Sequence, residues 1–423
     1  MGHERRDEEG REMSRKVDCV VIGGGPAGLS SALALYRSGV KDIVILERES
    51  ALGGILRQCI HDGFGLDRFG ENLSGPEYAS HFIREIEKEH IPYITNATVM
   101  NITPDRHVTV STREGVTEYE AKAVILAMGC KERSAGSIAL LGERPAGVYT
   151  AGTAQAYMNL YNRMPGKNVI ILGSGDIGLI MARRLTLEGA KVSAVFELMP
   201  SPNGLPRNIV QCLYDYDIPL YLNHTVTKIY GRERIEGVDV SEVDSSRRPI
   251  PGSAKYYPCD TLILSVGLIP ENTLLENAGI MIDPSTSGAV VDEHYETSLE
   301  GVFSCGNVLH VHDLADAVTR ESENLASSVK RYLDGEVKKT RDLPVKKGNG
   351  IGHVIPQRIT SSDSFLLSLR VRSQFSPCTI ALTQNGRTIA EKKIRKAIPA
   401  TMIEMEVDGS LIEDEGEVEV SVL

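Results

Sequence analysis

The sequence predicts an α/β chain of two Rossmann-like dinucleotide-binding units followed by a small all-β domain, and three observations predict it. The stretch Val17–Glu47, VDCVVIGGGPAGLSSALALYRSGVKDIVILE, recurs in outline 150 residues later without a gap. Two apolar runs, AVILAMG (Ala123–Gly129) and TLILSVG (Thr261–Gly267), read as buried strands that end on glycine. After about Leu343 the apolar pattern changes to period two.

The repeat is specific. Gly23, Gly25 and Gly28 are echoed by Gly173, Gly175 and Gly178, and Glu47 by Glu197. In the first copy the apolar run Cys19–Ile22 reads as a parallel strand buried on both faces. A glycine turn follows, then a helix opened by Pro26, Ala27 and Gly28, or by Asp176, Ile177 and Gly178 in the second copy. The first glycine permits the tight turn, the second lets backbone approach a pyrophosphate, and the third lets helix and strand pack closely. Unpaired N–H groups at the helix start then face the phosphates. The acidic residue ends the next strand 19 residues after the third glycine in both copies, where it can accept hydrogen bonds from ribose hydroxyls. A lone Gly-x-Gly-x-x-Gly is often a plain turn; strand, glycines, helix, strand and terminal Glu, twice over, are not.

Length and composition bound the rest. The 423 residues suffice for two or three domains with full cores. A formal charge of -11 argues against nucleic acid or an anionic membrane as the main partner. No apolar run reaches the roughly 18 residues of a spanning helix, and the charged start, residues 1–16, reads as a disordered tail without a leader's apolar core. A cytoplasmic protein is expected. Seven cysteines are scattered without any Cys-x-x-Cys, a pattern of reducing compartments with neither a disulfide framework nor a zinc site.

Along the chain, residues 76–90 read as a helix, Ile91–Met100 as extended, and Val108–Val110 with Tyr119–Lys122 as a hairpin region ahead of AVILAMG. A turn and helix span Gly147–Tyr161, and Pro165-Gly166 introduces the second unit. Strands are expected near Asp217–Leu222 and Gly237–Glu242, and a helix over about Asp313–Tyr332. In the tail, Phe365, Leu367, Leu369 and Val371 alternate with polar residues, as do Val418, Val420 and Val422, while Asn385-Gly386 and Asp408-Gly409 are hairpin signals.

With these features in place, residues 17–335 resemble the two-dinucleotide flavoproteins that include thioredoxin reductase and glutathione reductase. The resemblance implies an FAD domain (17–146 and 267–342), an NAD(P) domain inserted in it (147–266), and the all-β domain (343–423) as a docking or dimerisation module. It places Arg48, Gly53, Gly54, Val99, Ala127, Gly129, Gly306, Asn307 and Ala317 along the flavin, and Gly267 with the second nucleotide unit. Asn307 stands where the family's TxxxxVFxxGD-type segment has Asp, and its side-chain oxygen is expected to accept a hydrogen bond from the ribityl chain. A closer likeness, through GGILRQCIHDGFG, SGPEYA, GVYTAGTAQ and the IPQRI tail, is to FAD-dependent oxidoreductases found with glycerol-3-phosphate dehydrogenase. The FAD/NAD-type subunits of L-proline dehydrogenase, opine oxidase and hydrogen cyanide synthase are similar too. The cysteine pair of the disulfide reductases is absent at both of its usual places.

These readings imply hydride transfer between NADH and FAD, with electrons passed to an external acceptor such as dioxygen, a quinone-like dye or a partner dehydrogenase. Glu197 favours NAD(H) over NADP(H), because its charge would repel a 2′-phosphate, although Arg207 lies in the same loop. Cys59 reads as a thiolate centre or a small buried thiol, His61 as a proton donor or a histidine satisfied by backbone, and Gln58 as a neutral hydrogen-bonder to the ring edge. Cys305 reads as close packing. His310 and His312 stand for ring contact, capping or exposure; their spacing, with Asp313 as the only carboxylate close in sequence, argues against a metal. Two alternatives stay open: an FAD/NAD-type subunit of an amine, proline, opine or glycerol-3-phosphate dehydrogenase complex, and a flavin-binding assembly subunit without turnover. An oligomer is expected.

Overall fold

The computed structural model describes residues 14–423, so most of the expected charged tail lies outside the described residues. The chain forms two compact units: one runs up to Arg57 and continues through Asp62–Cys130 and Pro270–Leu423, the other comprises Gln58–His61 and Lys131–Ile269.

In the first unit a parallel sheet orders Tyr93–Ile94, Ile43–Leu46, Arg15–Ile22, Gly115–Leu126 and Val302–Ser304. The first strand starts at Arg15, earlier than the apolar run, because Arg15, Lys16 and Val17 already pair with Tyr119, Glu120 and Ala121. Helices Pro26–Arg37, Gly75–Lys88 and Ala315–Leu333 share one apolar cluster with the first strand's Cys19 and Val21. Ser74 and Glu77 form a reciprocal cap at the start of the second of these helices. The expected hairpin forms between His107–Thr112 and Gly115–Leu126, and the second of these, 12 residues long, joins Tyr119–Lys122 and the AVIL run in one strand. Its first half pairs antiparallel with His107–Thr112 and is exposed or half-buried apart from Tyr119; its end, Ala123–Leu126, parallel to the first strand, is buried throughout. The change of partner explains the change of pattern.

The second unit has five parallel strands in the order Leu220–Leu222, Lys191–Glu197, Asn168–Leu172, Thr261–Leu264 and Val148–Thr150. A further sheet joins Lys255–Pro258, Gly237–Glu242 and His224–Tyr230 to Leu141–Gly142. Residues 131–146, grouped by sequence with the first unit, go with the second because Leu141 and Gly142 pair with Lys228 and Ile229.

The C-terminal β segment consists of a five-stranded and a three-stranded sheet around one core that includes Phe365, Leu367, Leu369, Ile380, Val418 and Val420. Asn385 and Gly386, both at positive φ (50° and 81°), make the expected hairpin between Cys378–Gln384 and Arg387–Ile394. Asp408-Gly409 does not. Asp408 instead caps a short 3-10 turn by accepting the Ser410 N–H, and Gly409 abuts the Asp363 carbonyl, where a Cβ would lie at 2.1 Å. There the chain crosses from one sheet to the other, because Ile403–Val407 pairs with Phe365–Val371 and Val418–Val422 with Cys378–Gln384. The segment is docked on its own unit: Thr360 and Ser361 donate backbone N–H groups to the buried Glu293, at 2.8 and 2.6 Å.

Leu367 is fully buried in this core. Leu367→Ala is expected to lower unfolding free energy by about 2–5 kcal/mol, read from urea denaturation; a change below about 0.5 kcal/mol would contradict the packing described.

Candidate nucleotide-binding sites

The first glycine turn is fixed by contacts that only glycine allows. Gly23 has φ +106°, and a Cβ there would lie 2.4 Å from the Ala127 carbonyl oxygen. A Cβ on Gly28 would lie 1.8 Å from the Gly23 carbonyl oxygen. Gly25 differs: an added Cβ would meet only Gly54 Cα, at 3.8 Å, so this glycine leaves open the approach to the helix that it caps. That helix start has no side-chain cap, which leaves its first N–H groups to a ligand. The Gly53-Gly54 segment runs alongside, with Gly53 N–H donating to Gly24 O at 2.8 Å. Glu47, 5% exposed, closes the turn: its Oε2 accepts the Gly24 N–H at 2.6 Å and its Oε1 the Glu49 N–H at 2.8 Å. Arg48 is exposed beside it, 3.7 Å from the Glu49 carboxylate.

The second turn repeats the first-glycine and glutamate contacts. Gly173 has φ +95°, and a Cβ there would lie 2.0 Å from Ser265 O; a Cβ on Gly178 would lie 2.6 Å from the Ser265 side chain. Gly175 caps its helix without a side chain. Glu197, 4% exposed, accepts from Ser174 N–H at 2.8 Å, from Ser174 Oγ at 2.6 Å and from Met199 N–H at 2.8 Å. Asp176 replaces Pro26 and does other work: its carboxylate accepts from Leu205 N–H (2.8 Å) and Asn208 Nδ2 (2.6 Å), tying the loop after Glu197 to the helix start. Ile177 packs against the unit's core, and Arg207 is exposed. Gly267, at φ +103°, accepts the Arg133 N–H at 3.0 Å. Each turn therefore offers the shape and donors that a dinucleotide pyrophosphate needs.

At the end of the first unit's strands, Gly129 has φ +73° with open space around an added Cβ, and Ala127 supplies the carbonyl under Gly23. Gly306, at φ +68°, lies where the strand Val302–Ser304 meets the glycine helix, and a Cβ there would lie 2.8 Å from Ala27 Cβ. Asn307 is oriented by its neighbours: Oδ1 accepts the His312 N–H at 3.0 Å and Nδ2 points to Cys130 Sγ at 3.7 Å. The oxygen expected to serve a ribityl hydroxyl thus already holds a backbone donor, and the NH₂ group is the one turned toward the Gly129-Cys130 strand end. Ala317 lies in the first turn of Ala315–Leu333, which starts without a side-chain cap. Val99 is half-buried against the apolar cluster under the antiparallel strands.

Residues 58–61 belong to the second unit. Gln58 Nε2 donates to Gly152 O at 2.8 Å and to Gln155 Oε1 at 3.1 Å, and its carbonyl accepts from Asn159 Nδ2 at 2.8 Å, so it is anchored on helix Ala151–Asn159. Cys59 Sγ lies 3.8 Å from the same Gln155 oxygen, and burial pushes its thiol up to about 12. That favours the small buried thiol over the thiolate centre. His61 is half-buried. Cys305 is fully buried, its thiol also raised to about 12 by burial, in keeping with a packing role.

His310 and His312 depart most from expectation. Neither is exposed at its ring, and the carboxylate they meet is Glu321, on the last helix, rather than Asp313, which is paired with Arg370. His310 Nε2 and His312 Nε2 lie 2.7 and 3.2 Å from the same Glu321 Oε2. Burial would raise the Glu321 carboxyl, but His312 and His310 outweigh it and hold the group well below the usual carboxylate range. His310 itself is pushed down by burial, against the pull of Glu321.

Known proteins resemble this chain. Residues 17–326 match the family model described as pyridine nucleotide-disulphide oxidoreductase. The chain is 27% identical to a NAD(P)H coenzyme A polysulfide/persulfide reductase of Pyrococcus horikoshii, over 71% of this chain and 64% of that protein. It is 24% identical to one subunit of the opine oxidase of Agrobacterium tumefaciens, over 70% of this chain and 62% of that protein. It thus spans a little under two thirds of the length of these relatives. Among solved structures, thioredoxin reductase of T. acidophilum superposes with a TM-score of 0.61 at 25% identity, covering 75% of this chain and 99% of that one.

The raised Cys59 thiol has a measurable consequence. At pH 8 it stays protonated, so iodoacetamide should label the Cys59 peptide at least about a hundredfold more slowly than an unperturbed cysteine, with the rate rising steadily toward pH 10. Rapid labelling that levels off below pH 8 would mean that the thiol ionises near neutrality.

Proposed function

Since the chain belongs to the pyridine nucleotide-disulphide oxidoreductase family and carries both of its nucleotide turns, for FAD and for NAD(P)H, we propose that it is an FAD-dependent oxidoreductase that oxidises NADH and passes the electrons to an acceptor outside its own chain. The observation that carries the external acceptor is the state of the cysteines. No two of the seven are joined among the described residues, five are buried, and Cys59 is held as a neutral thiol. A dithiol relay needs a thiolate and a partner thiol within reach.

When bound, the two cofactors supply hydride transfer between nicotinamide and the flavin ring. The chain's own residues bind and orient. Gly23, Gly25 and Gly28, with the bare N–H groups at the start of Pro26–Arg37, would hold the FAD pyrophosphate, and Glu47 would stand beside the adenosine ribose. Asn307, with its NH₂ toward Cys130 Sγ and its oxygen on the His312 N–H, would meet the ribityl chain of a bound flavin. Gly173, Gly175 and Gly178 hold the second dinucleotide, and the buried Glu197 charge disfavours a 2′-phosphate, which makes NAD(H) the preferred partner over NADP(H). His61 would be the candidate for protonating a reduced acceptor, and Gln58 acts by fixing the 58–61 segment on helix Ala151–Asn159.

A second reading has a specific observation in its favour, the likeness to a protein named as one subunit of an opine oxidase. In it the chain is the FAD/NAD-type subunit of an amine, proline, opine or glycerol-3-phosphate dehydrogenase complex, and the C-terminal β segment is its docking or dimerisation face. Co-purification of a second flavoprotein, with dye reduction by proline, an opine or glycerol 3-phosphate only when it is present, would favour this reading.

Anaerobic mixing with NADH is expected to bleach the flavin band, with NADPH much slower; an unchanged spectrum would rule the primary reading out. Glu197→Gln is expected to narrow the NADH-to-NADPH ratio of kcat/KM by about tenfold, the equivalent of about 1.4 kcal/mol, and an unaltered ratio would remove Glu197 from cofactor choice.

A further inference from the structure

Away from the glycine turns, His, Cys, Asp and Glu donor atoms of the described residues converge in one cluster with the spacing of a metal site: His310, His312 and Glu321. Their donor atoms all lie within 4.8 Å of one another. Side-chain exposure is 1%, 4% and 9%. Glu321 is doubly committed, because its Oε1 accepts the Gly306 N–H at 2.7 Å while Oε2 faces both imidazoles. His353, from the C-terminal β segment, stands edge-on with its ring centroid 5.8 Å from that of His310. Three of the four buried side-chain polar atoms that have no partner within the described residues are imidazole nitrogens of these histidines: Nδ1 of His310 and His312, and Nε2 of His353. Buried polar atoms are nearly always satisfied, so Nε2 of His353 is the atom left for a ligand, while Nδ1 of His310 and His312 would carry the ring protons when their Nε2 atoms, which face Glu321, coordinate. The nearest cation, Arg370, is turned to the Val311 carbonyl and to Asp313.

We propose that His310, His312 and Glu321 form a binding site for a divalent transition cation of the zinc(II) class, with His353 the nearest candidate for a fourth donor. Two imidazoles and one carboxylate suit zinc, whereas calcium and magnesium require more oxygen donors and copper(I) or an iron–sulfur cluster would want thiolates. Donors about 2.1 Å from a tetrahedral zinc stand roughly 3.4 Å apart. The His312–Glu321 distance of 3.2 Å is close to that, and the His310–Glu321 distance of 2.7 Å needs to open by roughly 0.7 Å. Binding requires neutral imidazoles with the lone pair on Nε2, which the burial of His310 favours. A cation on Oε2 would also fasten the last helix to the Gly306 turn through Oε1.

The full-length, chelator-treated protein titrated with zinc chloride by calorimetry is expected to take up one zinc saturably. His312→Gln and Glu321→Gln, each with native circular dichroism, are expected to lose that uptake, and His353→Ala to weaken it by about tenfold or more. Zinc K-edge absorption of the loaded wild-type protein, which depends on no variant, is expected to show imidazole and oxygen scatterers. Absence of saturable uptake by the wild-type chain, equal uptake by folded His312→Gln, or sulfur scatterers at the edge would each overturn the proposal and leave a hydrogen-bonded imidazole–carboxylate cluster. None of these readouts requires turnover with NADH.

Discussion

A buried carboxylate at the end of a strand, hydrogen-bonded to the backbone N–H of the glycine turn beside it, is the contact on which both nucleotide units depend. Glu47 holds Gly24, and Glu197 holds Ser174. Each also takes the N–H two residues further on, at Glu49 or Met199. The bond fixes the turn relative to the neighbouring strand, and the glycine contacts beneath, Gly23 on Ala127 and Gly173 on Ser265, leave no room for another residue. With the turn held in this way, the helix behind it starts without a side-chain cap, and its N–H groups are left for phosphate oxygens. Ligands of open parallel sheets bind at the carboxyl ends of the strands, which is where both turns stand.

The two copies differ where their tasks differ. Pro26 begins the first helix without an N–H to satisfy, and its turn packs against Gly53-Gly54. Asp176 begins the second and straps down the loop after Glu197 through Leu205 and Asn208. The loop that would border the second nucleotide's ribose is therefore ordered by the same helix start that faces its phosphates. The C-terminal β segment is likewise no loose appendage: Glu293, Thr360 and Ser361, with Arg370 and Asp313, tie it to the first unit through buried or half-buried polar contacts.

What could be read from the sequence was local or periodic. The glycines, the terminal acids and the apolar runs state their structure within a few residues, and the doubling at a fixed offset made them specific. Long-range pairing was not legible. The Glu321 carboxylate lies nine and eleven residues beyond the histidines it meets, on a helix whose polar face gave no sign that this residue pointed inward. Asn307 was read by analogy with a carboxylate, and the sequence did not show that its oxygen also accepts the His312 N–H. Asp408-Gly409 has the composition of a hairpin, yet its flanking strands belong to different sheets, a tertiary fact that no dipeptide encodes. Residues 131–146 changed units because a two-residue strand pairs far along the chain, Leu141 with Lys228 and Gly142 with Ile229.

One glycine scaffold, used twice, gives this chain two separate dinucleotide sites, and counting them is the direct test. Equilibrium dialysis of the apoprotein with FAD and NADH together, under anaerobic conditions with a non-reducible flavin analogue as control, should find one flavin and one nicotinamide nucleotide per chain, neither displacing the other. Competition between the two for a single site, or saturation at one nucleotide in total, would contradict it.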